Sequence, residues 1–183
     1  MNEEEINLLK GIIISNISDL YHVELENGTI YTCNARGKIK NNEMSPVAGD
    51  KVEIEVINEE KHTGVINEIK ERTNYVKRPK MANINQIILV VSMKLPKPDL
   101  ELLDKQLAYA EYMKIKPIIC LNKIDLEDET TIKKIEDTYR NIGYTVIRTN
   151  AKEGIGIEEV QKQLQGKITA FSGNSGVRKI NIN

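Results

Sequence analysis

The 183-residue sequence has no tryptophan, one phenylalanine, two cysteines and two histidines. Cys33 and Cys120 each stand in an apolar run, without a CxxC pair or a His-rich neighbourhood. They read as structural thiols rather than as a disulfide or metal ligands. His22 and His62 are equally isolated, so these four residues assemble no metal site. Long apolar runs are also missing: no window approaches the roughly 18 consecutive apolar residues of a membrane span. The start, Met1 to Glu5, is acidic, unlike the basic start of a secretory signal, and a cytoplasmic location away from membranes is expected. Charge of one sign is scarce overall, with a formal net charge of -1, which argues against a generally basic nucleic-acid coat. The distribution is uneven: 13 acidic and 7 basic residues lie up to Lys70, against 14 and 19 beyond it.

What is present, 40% hydrophobic and 29% charged residues, suits a soluble chain with one or two small cores. From Gly11 to about Ile69 short stretches alternate with a period of two and are broken by turn residues. Asn27-Gly28 suits a tight hairpin turn with positive φ, joining Tyr21–Glu26 to Thr29–Asn34. Five short strands in so little chain predict a small closed β-barrel of oligonucleotide-binding (OB) type, with an SH3-like barrel as the alternative.

Past Tyr75 the texture changes. Residues 1–72 are expected to form the barrel, 73–85 a linker, and 86–183 an α/β domain. The run QIILVVSM lacks alternation, as a parallel strand covered on both faces does. Asp99 is placed to cap a helix with Leu100, Leu103, Leu107 and Ala110 on one face. Strand KPIICLNK, a charged helix within Thr130 to Ile142, strand TVIRTN, helix Ile157 to Leu164 and strand KITAFSG follow. Such alternation predicts a parallel sheet with crossover helices.

Ligands of such sheets lie beyond the C-terminal strand ends. After PIICL comes Asn122-Lys123-Ile124-Asp125. A carboxylate there can accept from both the ring N–H and the exocyclic amino group of guanine, whereas adenine would leave it unpaired. The lysine stem can cover one face of a base, and the asparagine can brace neighbouring loops. Alone, this segment is suggestive, with a polar turn as the alternative. After the next strand, Asn150-Ala151-Lys152-Glu153-Gly154 is similar to the SAK loop of GTPases, in which the alanine amide donates to the guanine carbonyl; alone, it could be a turn leading into a helix. Asn150 stands where Ser or Thr is usual. The third loop, Gly173-Asn174-Ser175-Gly176-Val177-Arg178-Lys179, resembles the phosphate loop GxxxxGK[ST], whose backbone N–H groups surround phosphates while the lysine neutralises them and a hydroxyl binds magnesium. A Gly-rich turn is weak by itself, but three such loops after three successive strands reinforce one another.

Their order is unusual, with the guanine-type loops first and the phosphate loop last. That permutation, preceded by a small barrel, resembles the circularly permuted GTPases of the ribosome small-subunit-dependent (RsgA) family. Ala35-Arg36-Gly37-Lys38, Val47-Ala48-Gly49-Asp50, Lys77-Arg78-Pro79, Ala82-Asn83-Ile84-Asn85-Gln86 and Leu102-Leu103-Asp104 add local matches. The resemblance implies GTP or GDP binding, with the base at Asn122, Lys123, Ile124, Asp125, Ala151 and Lys152 and the phosphates at Gly173, Asn174, Ser175, Gly176, Val177 and Lys179. It also implies a monomeric, GTP-hydrolysing factor of late small-subunit maturation, whose partners are that subunit and its rRNA. Arg36, Lys38 and Lys40 then become candidate rRNA phosphate contacts, with a solvated basic loop as the alternative; the barrel offers no aromatic platform beyond Tyr21 and Tyr31.

The family pattern continues GKS[ST]LIN, whereas this sequence has Arg178-Lys179-Ile180-Asn181-Ile182-Asn183. Arg178 puts a side chain where glycine lets the backbone approach phosphate, and Ile180 has no hydroxyl for magnesium. GKSTLIN can be encoded GGA AAA TCA ACA TTA ATT AAT, and one inserted A gives codons for RKININ followed by a stop. The expectation is therefore a product truncated by a frameshift or sequence error within the phosphate loop, lacking the family's zinc-binding domain and inactive in hydrolysis alone. On that reading the alternative functions are an rRNA-binding barrel remnant or a non-functional fragment. Sequencing the DNA around Val177 distinguishes these cases.

Overall fold

The computed structural model describes residues 7–40 and 45–173, and of Lys38 and Lys40 the backbone alone. The chain forms two compact units, Met1–Asn83 and Ile84–Asn183.

The first unit is a closed barrel of β1 (Leu8–Ile17), β2 (Leu20–Leu25), β3 (Ile30–Ala35), β4 (Lys51–Asn58) and β5 (Thr63–Ile69), in the order β1-β2-β3-β5-β4. Closure comes from a parallel β3–β5 pairing and an antiparallel β1–β4 pairing. Alternation does the rest: Ile13, Val23, Tyr31, Cys33, Val52, Ile54 and Ile66 point into one aliphatic core while their neighbours face solvent. The β2–β3 turn differs from the expected tight hairpin. Only Gly28 has a positive φ (81°), and Asn27 acts through its side chain, with Oδ1 accepting from the Thr29 amide at 2.9 Å. That geometry is an Asx turn in a longer loop.

A helical turn, α1 (Gly37–Lys40), follows β3. Residues 73–85, where a linker is expected, contain a hairpin of β6 (Tyr75–Lys77) and β7 (Lys80–Ala82). Two buried polar residues fasten it to the barrel. Asp50, fully buried, accepts from Arg72 Nε and Nη2, each at 2.7 Å, and from the Val47 amide at 2.8 Å. Asn83 Nδ2 donates to the Gly49 carbonyl at 2.9 Å while its Oδ1 accepts from the Thr73 amide at 2.8 Å. Gly49 has φ +88°, and a Cβ there would lie 1.9 Å from the Ala82 carbonyl oxygen, so only glycine fits this crossing.

The second unit carries a four-stranded parallel sheet in the order β10-β9-β8-β11: β8 (Gln86–Ser92), β9 (Lys116–Asn122), β10 (Thr145–Thr149) and β11 (Thr169–Gly173). All seven residues of β8 are buried, the signature of a strand covered on both faces. Helix α2 (Leu100–Tyr112) starts at Asp99, whose Oδ1 accepts from the Leu102 amide at 2.9 Å. It buries Leu103, Leu107 and Ala110, whereas Leu100, expected on the same face, is 37% exposed. Asp128 caps α3 (Glu129–Asn141) in the same way, and α4 spans Ile157–Leu164. Cys33 and Cys120 are both free and buried, one in each unit.

Candidate functional site

Strand register brings the candidate loops together. Ser92 of β8, Asn122 of β9 and Thr149 of β10 stand side by side at the C-terminal edge, so the segments that leave these strands start at one level. Directly after β9, Lys123 takes a left-handed conformation (φ 62°), and Ile124–Leu126 forms a single 3-10 turn. This reversal turns the Asn122–Asp125 segment back over the sheet edge. After β10 the loop is closed by paired bonds between Asn150 and Ile155, each at 3.1 Å. Gly156 (φ +75°) lets the chain pass under it, since a Cβ would lie 2.0 Å from the Arg148 carbonyl oxygen.

Between the two loops lies a cleft of about 260 Å³, lined by Leu95, Asn122, Lys123, Asp125, Leu126, Asn150, Ala151 and Lys152. Pockets for drug-sized ligands start at roughly 300 Å³, so this volume suits a single heterocyclic base. Asn122 is fully buried, and its Oδ1 accepts from Thr149 Oγ1 at 3.1 Å and from the Ala151 amide at 3.2 Å. It therefore holds one loop to the other. Lys123 Nζ reaches across to the Leu95 carbonyl, which lays the lysine stem along the cleft. Asp125 is exposed, and no described residue donates a hydrogen bond to its carboxylate.

Of the residues expected at a base site, Asn122, Lys123, Asp125, Ala151 and Lys152 line this cleft, while Ile124 lies in the 3-10 turn outside its lining. The Ala151 amide, expected to face a guanine carbonyl, donates to Asn122 in this structure. Leu95, Leu126 and the buried Asn150 complete the wall. Leu95 was not singled out from the sequence; the only signal is its place in the Pro-containing segment after a buried strand. Gly173 ends β11, and Asn174, Ser175, Gly176, Val177 and Lys179 lie outside the described residues, as do Arg178 and Ile180.

The candidate RNA residues look different in the folded barrel. Arg36 forms an ion pair with Glu55, and Lys38 and Lys40 fall in the α1 turn. Tyr21 and Tyr31, the two aromatics considered for base stacking, are 6% and 4% exposed, so they serve the barrel core instead. Among the described residues no group of three or more His, Cys, Asp or Glu side chains could hold a metal ion. Isoleucine stands at position 180, where the resemblance leads one to expect a hydroxyl for magnesium. No helix among the described residues is long and apolar enough to cross a membrane.

The chain matches two family models, the RsgA N-terminal domain over residues 10–66 and the RsgA GTPase over residues 69–182. A protein of Alkaliphilus metalliredigens named small ribosomal subunit biogenesis GTPase RsgA is 41% identical over 170 residues, 93% of this chain and 58% of that protein. The protein of the same name from Clostridium acetobutylicum is 43% identical over 171 residues, again 93% and 58%. Among solved structures, YloQ, described as a circularly permuted GTPase, superposes with a TM-score of 0.78 at 36% identity, covering 97% of this chain and 63% of that one. YjeQ from Thermotoga maritima gives 0.79 at 35% identity, with 93% and 62% covered. The chain thus spans somewhat under two thirds of the length of these relatives. With a closed barrel followed by a parallel sheet that bears its loops in permuted order, it belongs to the RsgA GTPase family.

Proposed function

We propose that this chain binds a guanine nucleotide in the cleft between the β9 and β10 loops, and that its role is that of its relatives, a GTP-dependent step in small-ribosomal-subunit biogenesis. The observation that carries the reading is the meeting of Asp125, Lys123, Asn122 and Ala151 in one base-sized cleft at the C-terminal edge of a parallel sheet. Asp125 would accept from the guanine N1–H and the 2-amino group, a pair of donors that adenine does not present. Lys123 would cover one ring face. Asn122 would keep both loops at the separation the base needs. Base entry would break the long Ala151–Asn122 bond and redirect that amide to the guanine carbonyl.

The phosphates would extend toward Gly173 at the end of β11, with Asn174 to Val177 and Lys179 as their contacts. Hydrolysis and action on the small subunit and its rRNA, in a monomer in the cytoplasm, are the further parts of this reading. For the barrel, Arg36, Lys38 and Lys40 stay the proposed rRNA contacts, with Arg36 having to exchange Glu55 for phosphate.

Titration of the chain with GMP and AMP, beside an Asp125→Ala variant, tests the base site. Wild type should prefer GMP, and the variant should lose that preference. Equal preference in both proteins would refute the assignment of Asp125. GTP turnover and small-subunit binding, measured separately, test the two further parts.

A further inference from the structure

A groove of about 660 Å³ lies on the barrel, well inside the roughly 300–1,000 Å³ of ligand sites. It crosses β1 at Gly11, where that strand pairs with Val52 of β4 on one side and with Leu25 of β2 on the other. Ile12, Leu25 and Val52 give it an apolar lining, and the last two pack into the barrel core. Charge of both signs surrounds that lining. By strand register Glu24, Ile12 and Lys51 stand in one row across β2, β1 and β4, so an acid and a base flank an apolar residue. Glu26 extends the acidic side, while Lys10 and Lys70 add cations. Lys70 is committed, with Nζ 3.2 Å from Glu53 and 2.6 Å from Glu68. The side chains of Lys10, Lys51, Glu24 and Glu26 make no hydrogen bond or ion pair among the described residues.

We propose that this groove docks an extended peptide segment of a partner protein, in which a basic and an acidic residue about three positions apart flank apolar residues. The spacing follows from the row. Glu24 and Lys51 are two strand spacings apart, about 10 Å, and extended chain advances roughly 3.3 Å per residue. A free amino acid, with both charges on one carbon, is too short to reach both walls. Nucleic acid fits poorly as well, because Glu24 and Glu26 repel phosphates. In the docked segment the basic side chain meets Glu24 and Glu26, the acidic one meets Lys51 and Lys10, and the apolar side chains cover Ile12 and Leu25. Exposed ion pairs add little affinity each, so their main effect is to fix the direction of the segment and to reject one whose charges are wrongly spaced.

The test titrates the full chain, ¹⁵N-labelled, with three probes: the peptide acetyl-Lys-Leu-Val-Glu-amide, its isomer acetyl-Lys-Glu-Leu-Val-amide with adjacent charges, and a short oligouridylate. In wild type the amide resonances of Gly11, Ile12, Leu25 and Val52 should move with the first peptide, and the isomer should bind more weakly. Lys51→Ala should weaken binding of the first peptide by about two- to fivefold, the range for one exposed ion pair. Lys51→Glu should weaken it further, and the double variant Glu24→Lys, Lys51→Glu should recover binding, because the same peptide can then lie in the opposite direction. Each substitution is at an exposed side chain, and the unperturbed remainder of the spectrum shows that the barrel is intact. Equal binding of the two peptides, no binding of either, or failure of the double variant to recover overturns the proposal. So does oligouridylate moving these amides where the peptide does not, which would make the groove a nucleic-acid surface. None of these results bears on the guanine reading, since no residue of the groove lines the base cleft.

Discussion

Replacing Asn122 by alanine should loosen the candidate site without unfolding the sheet. The side chain is fully buried, and its Oδ1 accepts two hydrogen bonds, from Thr149 Oγ1 at 3.1 Å and the Ala151 amide at 3.2 Å. Buried hydrogen bonds contribute about 0.5–1.5 kcal/mol each, so the two together are worth about 1–3 kcal/mol. The donors fare differently once the acceptor is gone. Thr149 Oγ1 keeps Cys120 Sγ at 3.2 Å and the Leu121 carbonyl at 3.5 Å within reach. The half-buried Ala151 amide is left without an acceptor, so the effect should concentrate in the 150–155 loop. Amide hydrogen exchange at Ala151 reports on this directly. At 1.4 kcal/mol per factor of ten, protection there should fall by about five- to 150-fold, while the β8 and β9 amides change little. Affinity for GMP should fall as well, because Asn122 no longer ties the β9 loop to Thr149, the contact that persists once base entry has drawn the Ala151 amide away. Unchanged Ala151 protection together with unchanged GMP affinity would refute the claim that Asn122 joins the loops.

Arg72→Ala strands the fully buried Asp50 with a single backbone donor; the expected cost to the barrel is about 3–5 kcal/mol, seen as a lowered midpoint in urea monitored on barrel amides. A midpoint equal to wild type would show that Asp50 finds another partner. Gly49→Ala should also destabilise the barrel and release the β6–β7 hairpin, because its Cβ would lie 1.9 Å from the Ala82 carbonyl oxygen at a φ that disfavours alanine; hydrogen exchange at Met81 and Ala82 checks this. Burial pushes the Cys33 and Cys120 thiols up to about 11 from 9.0. Their folded values exceed the unfolded ones, so the neutral thiols' contribution is complete below about pH 9 and is lost as pH rises through about 11. Urea midpoints should therefore decline between about pH 9 and about pH 11, and a Cys33→Ala, Cys120→Ala variant should show a shallower decline.

Periodicity and spacing made much of the architecture legible. Two-residue alternation in β1 to β5 is a property of the pleat and can be read one residue at a time. The unalternated runs of β8 and β9, and Asp99 before the first helix, are equally local signals. The motif order, with NKID ahead of NAK and the Gly-rich loop last, marked the permuted family without any coordinates. Other features depend on distant pairs. The β3–β5 parallel pairing, which closes the barrel, and the Asp50–Arg72 and Gly49–Asn83 contacts, which draw the expected linker into the first unit, join residues 22 to 34 positions apart. No local pattern encodes them. Burial likewise turned Tyr21 and Tyr31 from possible stacking surfaces into core, since a residue on an alternating strand faces inward or outward only once closure fixes which side is inside. In the same way the sequence by itself marked Asn122, Asp125, Ala151 and Lys152 as candidates for base-reading loops. Only the tertiary structure decided that Asn122 joins those loops and that Asn150 buries an unpaired donor in the same cleft, because hydrogen-bond satisfaction depends on where side chains from separate strands meet.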